Sequence, residues 1–249
     1  MRSSPIALYC FNMDISKLIE LTRDSARITH SNSLGFNGAI LQCLAIHQAL
    51  HTRPGINGQF DVNHFLDCLI EKMSKVELET SPNSSPNHQH PHQQQSQNDS
   101  SSHQNGRYPT PFTDRLRKVK EILQLEKKGI NYSVNRIVSI LGNDVSALKS
   151  VPTAIYAAMK SQLPLDGFEH GNSPFVRTLF YACNLGGDVD TIASMACSIS
   201  GSLYGYEVIP KMLLRHCESN DIMEKYADDL FRIVREMKTQ EGIHSSMDK

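Results

Sequence analysis

Residues 174–206 read PFVRTLFYACNLGGDVDTIASMACSISGSLYGY, and this run decides the fold class. Pro174 stands where a helix begins, because the N–H that proline lacks is one that a first helical residue leaves unused. The apolar positions behind it carry a helix from Pro174 to Leu185, and Gly186-Gly187 stops it. A second helix spans Thr191 to Tyr206. Its small residues Ala193, Ala196, Cys197, Ser200 and Gly201 let a neighbouring helix come close. Helix, glycine stop, acidic connection and helix again is the pattern of a layer built from helices alone.

The same pattern extends outward through the chain. Ser133 caps a helix through Leu141, which Gly142-Asn143 stops, and Pro152 opens another over Thr153–Ser161. Asp14 caps a helix with apolar positions Ile15, Leu18, Ile19 and Leu21. Past a turn-rich stretch from His30 to Phe36, Asn37 or Gly38 opens a strongly apolar helix, Ala39 to Leu50, ended by Arg53-Pro54-Gly55. Helical spacing recurs from Asp61 to Val76, from Asp114 onward, and from Asp221 to about Met237. No stretch alternates as a strand does. The predicted fold class is all-α, a compact orthogonal multi-helix domain.

One segment breaks the pattern. Residues 80–107 contain no Ala, Val, Ile, Leu, Met, Phe, Tyr, Trp or Cys, so they have nothing to bury against their ordering entropy and read as a disordered insertion. Without them the apolar share rises from 39% to roughly 44%, an ordinary globular value. The segment holds four of the eleven histidines, scattered among Gln, Asn and Ser, and reads as solvated chain rather than a metal tract. The expected division is a helical part over 1–79, the insertion over 80–107, a helical part with the acidic motif over 108–238, and a flexible tail over 239–249.

Charge and cysteines narrow the functional classes. A formal net charge of -1 offers no general attraction to nucleic acid or anionic membrane. The basic side chains Arg115, Arg117, Lys118 and Lys120 lack interleaved aromatics and read as a solvated helix face. No apolar run approaches the roughly 18 residues of a membrane span. Cys10, Cys43, Cys68, Cys183, Cys197 and Cys217 form no CxxC pair and lie mostly in apolar runs, as buried reduced thiols do. The N-terminal MRSSPIALYCFNMD lacks a small-residue cleavage site and does not read as a signal peptide.

The chemistry concentrates in Leu185-Gly186-Gly187-Asp188-Val189-Asp190-Thr191. In an extended connection Asp188 and Asp190 project to one side, and Thr191 adds a hydroxyl at the next helix start. Two carboxylates that close repel unless a cation or proton lies between them, and hard oxygen donors select Mg²⁺, Ca²⁺ or Mn²⁺ over Zn²⁺. The alternative is a plain helix cap formed by Asp190 or Thr191. The string matches neither an EF-hand loop nor the D-x-D-x-T of phosphate-transferring aspartate enzymes, which follows a buried strand.

L-G-G-D-x-D-T-I-A, followed by a small-residue helix ending at Tyr204-Gly205, resembles the C-terminal metal motif of the ADP-ribosylglycohydrolase family. His30-Ser31-Asn32-Ser33-Leu34-Gly35-Phe36-Asn37-Gly38-Ala39 is similar to the segment of its subgroup that hydrolyses ADP-ribosyl-serine and poly(ADP-ribose). Leu141-Gly142-Asn143-Asp144-Val145, with Ser150-Val151-Pro152-Thr153-Ala154-Ile155-Tyr156, resembles a third family segment. The resemblance implies an all-α domain with two Mg²⁺ ions, for which Asp188, Asp190 and Thr191 are ligands. It implies substrate contacts at His30 and Val145, and hydrolysis of O-glycosidic ADP-ribose bonds in ADP-ribosyl-serine, poly(ADP-ribose) or O-acetyl-ADP-ribose. The implied partners are ADP-ribosylated proteins or ADP-ribose-containing small molecules, with no direct nucleic acid and no membrane. The expected state is a monomer when complete, in the nucleus and cytoplasm or, alternatively, the mitochondrial matrix.

The chain also departs from that pattern. The family's Thr-Asp-Asp ligands, its catalytic Glu and a Gly-Asn-Gly loop precede a Met-Arg pair, and the chain starts at the matching Met1-Arg2. Asp228-Asp229 follows Ala227 in a helical pattern and reads as a solvated face. The expectation is therefore an N-terminally truncated domain with half of the metal ligands and no catalytic residue of its own. Two further readings stay open: a non-catalytic ADP-ribose-binding or interaction fragment, and an ADP-ribosyl-arginine hydrolase, against which the H-S-N-S-L-G-F-N-G-A string argues.

Overall fold

Short polar side chains fix where most helices start. Asp14 accepts a hydrogen bond from the Ser16 N–H (2.8 Å), Asn32 from Leu34 (2.8 Å) and Asp61 from His64 (3.1 Å). Ser133 and Ser173 do the same for Arg136 (3.3 Å) and Val176 (3.2 Å). Each satisfies a backbone donor that the first helical turn leaves without a partner. The computed structural model describes residues 1–52, 60–80, 109–162 and 173–247, with side chains to 237.

Among the described residues there are eleven α-helices and no strand: α1 (Ser4–Tyr9), α2 (Ile15–Arg27), α3 (Ser33–His51), α4 (Val62–Glu79), α5 (Pro111–Lys127), α6 (Val134–Leu141), α7 (Ala147–Lys160), α8 (Pro174–Asn184), α9 (Val189–Tyr204), α10 (Lys211–His216) and α11 (Asn220–Met247). A 3₁₀ turn at Tyr206–Val208 joins α9 to α10. The all-α reading stands. No helix among the described residues is long and apolar enough to cross a membrane.

The core is centred on α3, which is buried on nearly every side and packs against α1, α2, α4, α7 and α9. Gly38 makes the approach of α7 possible, since a Cβ there would lie 2.7 Å from the Cβ of Ala147 on α7. In turn, α7 packs on α5 and α9, and α9 on α8.

Several boundaries differ from the sequence reading, each for a local reason. Helix α3 begins at Ser33 rather than Asn37 or Gly38, because Asn32 caps it. Helix α5 begins at Pro111 rather than Asp114. Its own N-cap, Thr110, makes no side-chain bond. Instead the buried Glu77 carboxylate of α4 accepts from Phe112 N (2.8 Å), Thr113 N (3.0 Å) and Thr113 Oγ1 (2.6 Å). Helix α7 runs straight through Pro152 from Ala147. Proline removes one backbone bond, and the burial of Val151, Ala154, Ile155, Tyr156, Ala157, Ala158 and Met159 offsets that loss.

At the C-terminus, α11 continues to Met247, so the tail expected from residue 239 is helical over most of its length. Its sequence holds no proline to stop it. Thr80, placed at the start of the insertion, caps α4 and accepts from Asn37 Nδ2 at 3.1 Å. The rest of the insertion and the Arg53-Pro54-Gly55 stop lie outside the described residues. Of the cysteines only Cys10 and Cys43 are buried, while Cys183 and Cys217 are exposed, which corrects the reading of uniformly buried thiols.

His47 on α3 is pressed between elements. Its ring lies 4.3 Å from that of His51, which stacks on Phe11 at 4.5 Å. Burial first, then the neighbouring His51 and Lys72, lower its pKa from 6.5 to about 4 against a smaller opposing effect of Cys10. Below pH 6.5 the unfolded chain therefore binds a proton that the folded chain refuses. Folding stability is expected to be full above pH 6.5 and to fall between pH 6.5 and about 4. Urea titrations at successive pH values check this, and His47→Gln should flatten the slope. Glu77→Ala should cost about 3 kcal/mol by stranding the α5 donors, as read by thermal denaturation against Glu77→Gln, which keeps one acceptor.

Candidate active site

The α6–α7 loop and the α8–α9 turn are fastened to one another by their backbones. Asn143 O accepts from Asp188 N at 2.8 Å, and Asn143 Nδ2 donates to Leu185 O at 2.9 Å. Gly187 passes so close that a Cβ would stand 2.2 Å from Asn143 O, and its φ of +68° is one that L-residues rarely adopt. The same loop is braced by Asp144. Its carboxylate accepts from Ser146 N (3.0 Å) at the start of α7 and pairs with Lys149 (2.6 Å). Those bonds, Lys149 first, hold Asp144 at about 2.

The acidic motif enters α9 earlier than its spacing suggested. Asp188 is the N-cap and Val189 the first helical residue, so Asp190 and Thr191 lie in the first turn rather than in an extended connection. The two carboxylates nevertheless come together. A side-chain hydrogen bond with Asp188, followed by the Thr191 N–H, holds Asp190 below the usual carboxylate range, and that N–H is 2.9 Å from Asp190 Oδ1. Unlike the capping residues of α2, α3, α4, α6 and α8, Asp188 makes no side-chain cap bond.

Three sequence-expected residues share one cavity. His30, Val145 and Thr191 line a space of about 210 Å³ where the C-terminal end of α2 and the N-terminal ends of α1, α3, α7 and α9 meet. Val145 stands 82% exposed, so it forms a rim rather than a packed wall. Asp188 and Asp190 are not on the wall, and none of the described lining residues carries a carboxylate.

Residues not singled out from sequence complete the site. Arg2 Nη2 donates to Ser25 O and Thr29 Oγ1, both at 2.9 Å. Thr29 Oγ1 is 2.8 Å from His30 Nδ1 but 3.4 Å from Ala26 O. The Thr29 hydroxyl thereby links the Arg2 guanidinium to the His30 ring. Gly35 makes room for that ring, since a Cβ there would approach the His30 side chain to 2.8 Å. Gln42, 1% exposed, donates from Nε2 to Met195 O at 3.0 Å and ties α3 to α9. Its Oε1 has no partner among the described residues. A glutamine inside a strongly apolar helix was the signal in the sequence for such a tie.

Asp188, Asp190 and Thr191 offer two carboxylates and a hydroxyl, donors that suit a hard cation such as Mg²⁺, which is commonly held by one or two carboxylates with the remaining positions filled from elsewhere. Among the described residues no group of three His, Cys, Asp or Glu converges.

The arrangement is that of an all-α domain whose cavity opens at the N-termini of packed helices, beside an acidic helix start. The family model of the ADP-ribosylglycohydrolases matches residues 1–240, and the chain belongs to that family. It is 36% identical over 236 residues to ADP-ribosylhydrolase ARH3 of Bos taurus, covering 94% of this chain and 56% of the relative. The match to ARH3 of Homo sapiens is 34% identical, with the same coverage of 94% and 56%. An uncharacterized protein of Archaeoglobus fulgidus is 24% identical over 94% of this chain and 57% of its own length. The chain thus spans little more than half the length of the curated relatives it matches.

Gly187→Ala is expected to destabilise the domain by more than about 2 kcal/mol, since backbone meets the new methyl and φ is unfavourable. Asn143→Ala keeps the backbone acceptor and should cost about 1 kcal/mol. Urea unfolding of both variants reads the difference.

Proposed function

We propose that this chain belongs to an enzyme that hydrolyses O-glycosidic bonds of ADP-ribose, of the ADP-ribosyl-serine, poly(ADP-ribose) or O-acetyl-ADP-ribose type. The observation that carries the reading is the meeting of His30, Val145 and Thr191 on one cavity, beside a paired Asp188 and Asp190, in a chain of this family. In hydrolysis the bond from the anomeric carbon to the departing oxygen breaks, water supplies the new oxygen, and the proton left over ends on the leaving group. His30 contacts the substrate through its ring, and Arg2 fixes the ring's orientation through Thr29. Val145 closes the rim against the ribose. Asp188, Asp190 and Thr191 would hold Mg²⁺, which when bound supplies charge to orient the ribose hydroxyls.

A second reading has an observation of its own. The cavity wall carries no carboxylate among the described residues to take a proton from water, which favours binding of ADP-ribose without turnover. ADP-ribose release from a serine-linked peptide, measured with and without Mg²⁺ alongside calorimetry with ADP-ribose, separates the two. Turnover lost by about 100-fold in the double variant Asp188→Asn, Asp190→Asn supports the enzyme reading, taking the metal's charge as worth several kcal/mol. Heat of binding without turnover supports the second reading, and neither heat nor turnover overturns both.

A further inference from the structure

Beyond the C-terminal end of α9 lies a separate cleft of about 350 Å³. It shares no described lining residue with the cavity at the other end of that helix, and from Met195, the last α9 residue on that cavity, the helix runs about 14 Å further to Tyr204. Ile209 and Leu214 form its half-buried apolar floor. Lys211 and Arg215, one turn apart on α10, stand over the same side of it. Tyr206 offers a ring that is 47% exposed, and Asn220 closes the far edge with an amide.

What separates this cleft from ordinary solvated surface is that two cations, an exposed ring and an amide line one concavity. Lys211 and Arg215 belong to no ion pair among the described residues, as is also true of Lys127, Lys128 and Lys225. Glu207 is the one carboxylate among the described lining residues, beside Lys211 and Arg215. Unspent cations beside an exposed aromatic ring and an amide over an apolar floor make a surface complementary to a phosphate joined to a flat polar ring. Arginine and lysine hold the phosphate, and the ring stacks the base.

We propose that this cleft binds a nucleoside phosphate, its base on Tyr206 and its phosphate between Lys211 and Arg215. The ligand is either a free nucleotide or the adenosine phosphate of a second unit in a longer ADP-ribose chain. Only the second source rests on the function proposed above.

The test is a calorimetric titration of the full chain with AMP, with adenosine and inorganic phosphate as part-ligands. AMP should bind at least about tenfold tighter than either part, because each charge-assisted bond to phosphate is worth more than one factor of ten. The double variant Lys211→Glu, Arg215→Glu should lose that affinity by at least about tenfold, and Tyr206→Leu by about threefold to tenfold. All three side chains stand in solvent, so thermal melts should match the wild type, and Tyr206→Leu keeps the test alive should the charge reversal perturb α10. His30→Ala, in the other cavity, should leave AMP affinity in this cleft unchanged. An ADP-ribose dimer held tighter than AMP, with the gain lost on changing either cavity, identifies the polymer as the source. Equal affinities identify the free nucleotide. AMP binding that is absent, or untouched by the α10 and Tyr206 variants, overturns the proposal, whether or not the chain hydrolyses anything.

Discussion

The approach of Gly187 to the carbonyl of Asn143 is the constraint on which the site depends. At 2.2 Å from a would-be Cβ there is space for glycine alone. The two bonds that flank this contact, Asp188 N to Asn143 O and Asn143 Nδ2 to Leu185 O, fix the entry of α9 relative to the start of α7. The position of α7 is set in turn by Gly38 of α3 against Ala147. Three strings far apart in the chain are therefore one chain of contacts: the α3 start touches the α7 start, and the α6–α7 loop touches the α9 start. Their side chains come to a common cavity because their backbones are held within contact distance.

Buried polar groups do for the scaffold what these backbone contacts do for the site. Glu77 caps α5 from α4, so the ends of the segment between them are brought together by one carboxylate. Glu126 of α5, 3.2 Å from Lys160, also receives the hydroxyl of Tyr156, whose partner in turn is Tyr181 at 3.0 Å on α8. Burial, with Tyr181 and Glu126 close by, raises the Tyr156 pKa, which keeps the phenol protonated as a donor. Such groups add little net stability when fully paired and cost much when one member is lost, so they specify which helix faces which.

What was legible in the sequence follows from the range of the interaction responsible. The Ser133–Leu141 helix and the starts at Asp14 and Pro174 could be read because cap and helix lie within three residues of one another. The start of α5 could not, since its cap lies 35 residues upstream. Pro152 misled for the same reason: local chemistry starts a helix there, and the packing that carries α7 through it comes from α5 and α9. At the site, the acidic pair was legible as a pair, with the helix start placed at Thr191 rather than Val189. Gln42 stood out as a polar residue in an apolar helix, but its partner, Met195 O, is 153 residues away. Arg2 was read only as half of the Met1-Arg2 pair, since the Thr29 it binds lies 27 residues on.

The behaviour of Asp188 bears on why a carboxylate stands where α9 begins. An aspartate at that position ordinarily accepts from the backbone of the first turn, as Asp14 and Asp61 do here. Asp188 makes no such bond, and Asp190 takes the one N–H of Thr191 for itself. The positive end of the helix dipole favours carboxylates at this position, but that is no reason for Asp188 to forgo capping. A carboxylate that caps nothing, beside a second one and a threonine that lines the cavity, leaves oxygen donors at the helix start that backbone capping does not use.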